Sequence, residues 1–127
     1  MDTNLFNRGL SYDDVLLVPQ YSEIESRSEI KLSVDMGKTL QLKLPIFSSP
    51  MDTISEIPMA LAMDSAGASA IIHRYNTIEE QADMVCRAVA DLKDNVGVAV
   101  GITGDFLERA TAAFNAGATF ICVDVAH

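Results

Sequence analysis

Residues 96–125 read VGVAVGITGDFLERATAAFNAGATFICVDV, and this stretch decides the fold. Two short runs rich in valine and other apolar residues, at 96–100 and 119–125, flank a segment whose apolar residues recur at helical spacing. Asp105 stands before that segment as a predicted helix cap, and Gly117 stands just past its end. The stretch therefore predicts a strand, a helix and a second, parallel strand joined by a right-handed crossover.

The same pattern recurs upstream at a nearly constant interval. Further apolar runs of strand length occupy residues 44–48 and 69–73. Runs of this length without clean alternation are typical of strands that are buried on both faces. Four predicted strands that alternate with helical segments indicate an α/β fold with a parallel sheet.

Three helices are predicted between these runs. The first covers residues 55–66, with Ser55 as its N-cap. The second begins with a capping box, in which Thr77 caps the helix and Glu80 reaches back, and we expect the same arrangement at Asp105. The side chains expected to be buried on the second and third helices are Ile78, Ala82, Val85, Val89, Leu92, Phe106, Leu107, Ala110, Ala113 and Phe114.

The first 44 residues break this rhythm. Short strands are expected at 12–18 and 30–34, and turns at 26–28 and 36–39. We interpret residues 1–44 as an extension and residues 45–127 as the first four strands of one domain. Periodicity alone leaves a (β/α)₈ barrel and an open doubly wound sheet as alternatives. The open sheet usually has a glycine-rich loop after its first strand, where this chain reads SSPMDT.

Composition limits the classes of partner and location. A net charge of −9 disfavours binding to nucleic acid or anionic membranes, but not a small anionic ligand. The chain has no apolar run long enough for a transmembrane helix, and its start lacks signal-peptide features, so we expect a cytoplasmic protein. Cys86 and Cys122 lie far apart within apolar patterns, which predicts two buried, reduced thiols and no metal site.

Several motifs, in the expected order, resemble the IMP dehydrogenase/GMP reductase family. They are LSYDDVLLVP at 10–19, SRSE at 26–29, LPIFSSPMDT at 44–53, IHRYN at 72–76 and VDVAH at 123–127. The resemblance covers nearly the whole chain. It implies a TIM (β/α)₈-type barrel of which this chain supplies the N-terminal half, with four parallel strands, three helices and an N-terminal extension.

The resemblance also implies which residues form the site, on loops at the carboxyl ends of the strands. Ser49 and Met51 would contact the purine nucleotide, IMP or GMP. His73, Arg74 and Asp124 would contact NAD or NADP, with Arg74 at a phosphate and Asp124 at the nicotinamide ribose. No catalytic residue is predicted here, because the family's catalytic cysteine lies on a loop after the sixth strand and neither cysteine of this chain matches it.

Two reactions of the family stay open, both through a thioimidate between a cysteine and purine carbon 2. IMP dehydrogenase transfers hydride to NAD⁺ and hydrolyses the adduct to XMP, whereas GMP reductase expels ammonia from GMP and takes hydride from NADPH. SSPMDT resembles the dehydrogenases, while residues 26–29, 73–75 and 124–127 resemble reductases at least as well. No regulatory CBS pair is inserted after the second helix, which suits a reductase or a minimal dehydrogenase. We favour the dehydrogenase and keep the reductase as the alternative.

A non-catalytic function is a further alternative. Four strands without the rest of a barrel would have two open edges and an exposed apolar face. A protein that consisted of these strands alone would be expected to self-associate as an inactive half-barrel. We favour instead a fragment of a longer, homo-oligomeric enzyme.

Overall fold

The computed structural model describes residues 9–37, 40–92 and 95–126, which fall into two compact units. The unit that ends at Ile30 holds two 3-10 helices, Tyr12–Asp14 and Arg27–Glu29, and all of its described residues are exposed. The strand predicted at 12–18 is not formed, because Asp14 Oδ2 accepts from the backbone N–H and the hydroxyl of Ser11 and closes a helical turn instead.

The turn predicted at 26–28 is confirmed. The 3-10 helix that begins at Arg27 is closed by a capping box, in which the Ser26 backbone N–H donates to Glu29 Oε1 at 2.8 Å. The Ser26 hydroxyl accepts from the backbone N–H of Ser28.

The unit that starts at Lys31 opens with a small antiparallel pair, β1 (Val34–Asp35) and β2 (Gln41–Leu42). The strand predicted at 30–34 therefore overlaps the observed one only at Val34. The turn predicted at 36–39 lies partly outside the described residues.

A parallel sheet of three strands follows, with β3 (Ala70–Ile72), β4 (Val96–Val100) and β5 (Phe120–Val123) in sequence order. The strand predicted at 44–48 is reduced to a single parallel bridge between Phe47 and Ser69. The ladder is interrupted at Ile46, because its backbone N–H donates to Leu44 O at 2.8 Å and not to the neighbouring strand. The predicted α/β class with parallel strands and three helices is thus confirmed, with a shorter first strand.

The helices are α1 (Ile57–Ser65), α2 (Ile78–Val89) and α3 (Phe106–Ala116). The capping box of α2 is confirmed: the Thr77 backbone N–H donates to Glu80 Oε2 at 2.9 Å, and Thr77 Oγ1 accepts from the Glu80 N–H. Gly117 is confirmed as the residue that ends α3, in the left-handed conformation at φ 110°.

One predicted cap is wrong, and one predicted capping box is not formed. Glu56, and not Ser55, is the N-cap of α1, because the Ser55 side chain is fully buried and bonds the preceding loop. Asp105 is the N-cap residue of α3, as predicted, but its side chain makes no capping bond, since its carboxylate pairs with Arg109 one turn later.

The core lies between the sheet and the inner faces of the helices, where all five residues of β4 are buried. The helices contribute mainly small side chains there, such as Ala60, Ala88 and Ala113, together with Val85. The expected burial of four large side chains is wrong, because these lie on outward-facing positions: Val89, Phe106, Leu107 and Phe114. Cys86 is also exposed, contrary to prediction, and Cys122 is half-buried.

Candidate functional site

The predicted site residues lie on three loops at one edge of the sheet. Because the Phe47 bridge, β3, β4 and β5 are all parallel, their carboxyl ends point the same way. The first loop holds Ser49 and Met51, the second holds His73 and Arg74, and the last holds Asp124. The five residues therefore occupy the edge at which parallel α/β folds place their ligands.

The first loop is held by the buried hydroxyl of Ser55. Ser55 Oγ donates to the backbone carbonyl of Ser49, so the Ser48 hydroxyl, 2.6 Å away, donates to Ser55. The Ser55 backbone N–H also donates to Met51 O at 2.8 Å. This arrangement leaves the Ser49 residue exposed and Met51 47% exposed, so both side chains can reach a ligand.

His73 is nearly fully buried at the end of β3. Its Nδ1 accepts from the Tyr75 backbone N–H at 3.2 Å, which places the ring proton of the neutral imidazole on Nε2. Nε2 then donates to Glu56 Oε1 at 3.3 Å, across the gap to the start of α1. Both ring nitrogens thus have partners within the chain, and a direct cofactor contact of His73 stays a prediction.

Arg74 and Asp124 contact each other above the end of β4. Arg74 Nε donates to Asp124 Oδ2 at 3.2 Å, and Nη2 donates to the Asp124 backbone carbonyl at 3.2 Å. The guanidinium carbon lies 5.9 Å from the centre of the Tyr75 ring, which is within cation–π distance. About a third of each charged side chain is exposed. A guanidinium and a carboxylate therefore stand side by side and within reach of a ligand.

A buried polar network supports the second loop, and sequence reasoning missed it. Gln81 on α2 and Arg109 on α3 are almost fully buried, and Arg109 Nη1 donates to Gln81 Oε1 at 3.3 Å. Arg109 also forms an ion pair with Asp105 at 2.8 Å. Gln81 lies three residues after Ile78, on the predicted apolar face of α2. A polar residue on that face was the sequence signal that could have identified it.

A cavity of about 430 Å³ opens between the first two loops and α2. Four carboxylates, one arginine and the buried histidine contribute to its lining, namely Asp52, Glu56, Glu80, Asp83, Arg87 and His73. An excess of carboxylates disfavours a phosphate at this position. Arg74 is not among the residues that line this cavity.

Cys122 lies on β5, two residues before Asp124, and the pKa of its thiol is shifted. Burial raises the pKa of its thiol, and the nearby Asp124 carboxylate raises it further, since both disfavour a thiolate.

Among the described residues, no group of three or more His, Cys, Asp or Glu side chains is arranged to hold a metal ion. Within that same part of the chain, no helix has the length and apolar character needed to cross a membrane.

Comparison with protein families decides the relationship. The family model for the IMP dehydrogenase / GMP reductase domain matches residues 9–127. The chain belongs to this family. The family resemblance expected from the motifs is therefore confirmed.

Relatives with both family names are similar to the chain. An inosine-5'-monophosphate dehydrogenase of Nitrosopumilus maritimus is 48% identical over 65% of this chain and 17% of its own length. A GMP reductase of Leishmania donovani is 46% identical over 61% of this chain and 16% of its own length. The chain thus spans about a sixth of these curated relatives.

A solved structure is also similar. The inosine 5' monophosphate dehydrogenase of Legionella pneumophila superposes with a TM-score of 0.72 and 43% sequence identity, over 94% of this chain and 36% of that one. The fold of the IMP dehydrogenase / GMP reductase domain therefore extends over nearly all of this chain.

Proposed function

We propose that this chain forms the N-terminal half of a (β/α)₈ barrel in a purine nucleotide oxidoreductase of the IMP dehydrogenase type. The complete protein would convert IMP, NAD⁺ and water into XMP, NADH and a proton. The observation that carries the proposal is the Arg74–Asp124 pair at the carboxyl edge of a parallel sheet in a chain of this family. The cysteine nucleophile would come from another part of the complete protein.

The chemistry of the exposed residues fits two ligands. The Ser49 hydroxyl can bond a ribose or phosphate oxygen of IMP, and the Met51 thioether can contact the purine. Arg74 can pair with a phosphate of NAD or NADP, while the Asp124 carboxylate can accept from two ribose hydroxyls. The dinucleotide, when bound, supplies the hydride acceptor or donor. His73, beneath these groups, supports the loop and is retained as a proposed cofactor residue.

GMP reductase is the second candidate, because relatives named as GMP reductase are nearly as similar as those named as dehydrogenases. It would use the same nucleotide and cofactor loops with GMP and NADPH, and would release IMP and ammonia. The residues that separate the two reactions are expected outside this chain. A homo-oligomeric, cytoplasmic enzyme and the domain limits 1–44 and 45–127 remain part of the proposal.

Absorbance at 340 nm tests the function on the protein expressed from its complete gene. An increase with IMP and NAD⁺ supports the dehydrogenase, and a decrease with GMP and NADPH supports the reductase. No change with either pair, in a folded protein, would contradict both. The variants Ser49→Ala and Asp124→Asn should each lower kcat/KM about tenfold or more, since each removes a polar contact to a bound ligand. The Thr111→Ala variant on the outer face of α3 is the control.

A further inference from the structure

We propose that Gln81 and Arg109 are positioning residues that fix the second loop for binding of the dinucleotide. The inference rests on the proposed function, because it assigns these residues to the same site. Neither side chain reaches the loop surface: Gln81 is 1% exposed and Arg109 is 7% exposed. They act through the residues that flank Arg74.

Gln81 joins the carboxyl ends of β3 and β4. Its Nε2 donates to His73 O at 2.9 Å and to Ala99 O at 3.0 Å, with a longer contact of 3.4 Å to Ile72 O. The Ile72 and Ala99 carbonyls belong to β3 and β4, and the His73 carbonyl follows directly after β3. One buried amide therefore bridges β3 and β4 at the point where the loop that holds Arg74 begins.

Arg109 holds the other end of the loop. Its Nη2 donates to Asn76 O at 3.0 Å, and its Nη1 donates to Asn76 Oδ1 at 3.2 Å and to Thr77 O at 3.4 Å. The same Nη1 donates to Gln81 Oε1, which orients the amide so that Nε2 faces the strand carbonyls. The ion pair with Asp105 compensates the buried charge.

The network thus holds the loop on both sides of Arg74. The His73 carbonyl is bonded by Gln81 and the Asn76 carbonyl by Arg109, so only Arg74 and Tyr75 lie between the two anchors. Arg74 can then reach Asp124 from a defined position. The side-chain hydrogen bonds of Gln81 and Arg109 go to the strand ends, the second loop and Asp105, and not to Ser49 or Met51. This predicts a selective effect on the dinucleotide and not on the purine nucleotide.

Steady-state kinetics of the complete protein test this selectivity. Gln81→Met removes the amide at similar length, and Arg109→Lys keeps the charge but loses the forked contacts. Each should raise the KM for the dinucleotide about tenfold, since a displacement of about 1 Å can cost up to about 100-fold. The KM for the purine nucleotide should stay within about twofold. An unchanged dinucleotide KM, or an equal rise of both KM values, would overturn the inference.

Two further variants separate positioning from folding. Ser69→Ala removes the hydrogen bond of a fully buried serine to Asn95 O, 2.8 Å long, at the opposite end of the strands. It should lower stability without changing either KM. Asn76→Ala removes one acceptor of Arg109 together with a buried Nδ2 that has no partner among the described residues, so it should fold well. It should raise only the dinucleotide KM.

The two levels of the proposal can fail separately. If the folded wild-type protein neither oxidises IMP nor reduces GMP, the proposed function is wrong and this inference is overturned with it. If the wild type is active and Asn76→Ala and Arg109→Lys bind the dinucleotide normally, only the positioning role is overturned. Imidazole ¹⁵N shifts of His73 add a readout that is independent of turnover: loosening of the loop should remove the Tyr75 N–H bond to Nδ1 and populate the second tautomer.

Discussion

Arg74 and Asp124 are separated by fifty positions in the sequence, yet the Arg74 side chain donates to both the carboxylate and the backbone carbonyl of Asp124. The contact crosses the end of β4, where Gly101 lies beneath the guanidinium. A Cβ atom at Gly101 would be 3.6 Å from Arg74 Nη1, which is an ordinary van der Waals distance. The pair brings together two residues that we propose bind different parts of the dinucleotide.

The pair should contribute little to stability. Both side chains are about a third exposed, and exposed ion pairs typically contribute about 0.2–1 kcal/mol. A double-mutant cycle with Arg74→Ala and Asp124→Ala, followed by urea unfolding, should give a coupling free energy below about 1 kcal/mol. A coupling free energy of several kcal/mol would show that the pair mainly stabilises the fold, and would contradict its proposed role as a ligand site.

The Thr77 cap should stabilise α2 measurably. Thr77→Ala removes the hydroxyl that accepts from the Glu80 N–H, and we expect a loss of about 1 kcal/mol in the free energy of unfolding. Thr111→Ala is the matched control, because the Thr111 hydroxyl bonds Leu107 O within α3 and satisfies no orphan backbone donor. Equal losses for the two variants would contradict the capping role.

Gly97 should not tolerate a side chain. A Cβ atom at this buried position of β4 would lie inside the contact distance of the Phe120 ring, which also packs edge-on against Phe47. Gly97→Ala should cost about 3 kcal/mol of unfolding free energy through overpacking. Gly101→Ala meets only ordinary contacts and should be tolerated. If Phe120→Leu in the Gly97→Ala background restores no stability, the steric explanation is wrong.

The two cysteines should differ in their reaction with alkylating agents. Cys86 is exposed, whereas burial and Asp124 raise the pKa of the Cys122 thiol. A raised pKa means that Cys122 needs a higher pH to form the reactive thiolate, so at neutral pH Cys86 should be modified first. Mass spectrometry after iodoacetamide treatment measures the order. Asp124→Asn should speed the reaction of Cys122, and faster modification of Cys122 than of Cys86 in the native protein would contradict the prediction.

Local signals were sufficient for much of the fold. Apolar runs at a regular interval predicted β3, β4 and β5, and capping residues predicted where α2 begins and where α3 ends. These features depend on backbone bonds within a few residues, such as Thr77 with Glu80 or the left-handed Gly117. The family resemblance was likewise readable from short motifs, as the match over residues 9–127 confirmed.

Packing and burial in the tertiary structure decided the rest. Ser55 and Asp105 both have the chemistry of helix caps, but the buried Ser55 hydroxyl bonds the Ser49 carbonyl and the Asp105 carboxylate pairs with the buried Arg109 guanidinium. Helical periodicity likewise identifies an apolar face, whereas only the packed sheet determines that small side chains such as Ala113 fill it and that Phe114 faces outward. The Gln81–Arg109 network and the Arg74–Asp124 contact join residues 28 and 50 positions apart, a separation at which local pattern carries no information and packing alone selects the partner.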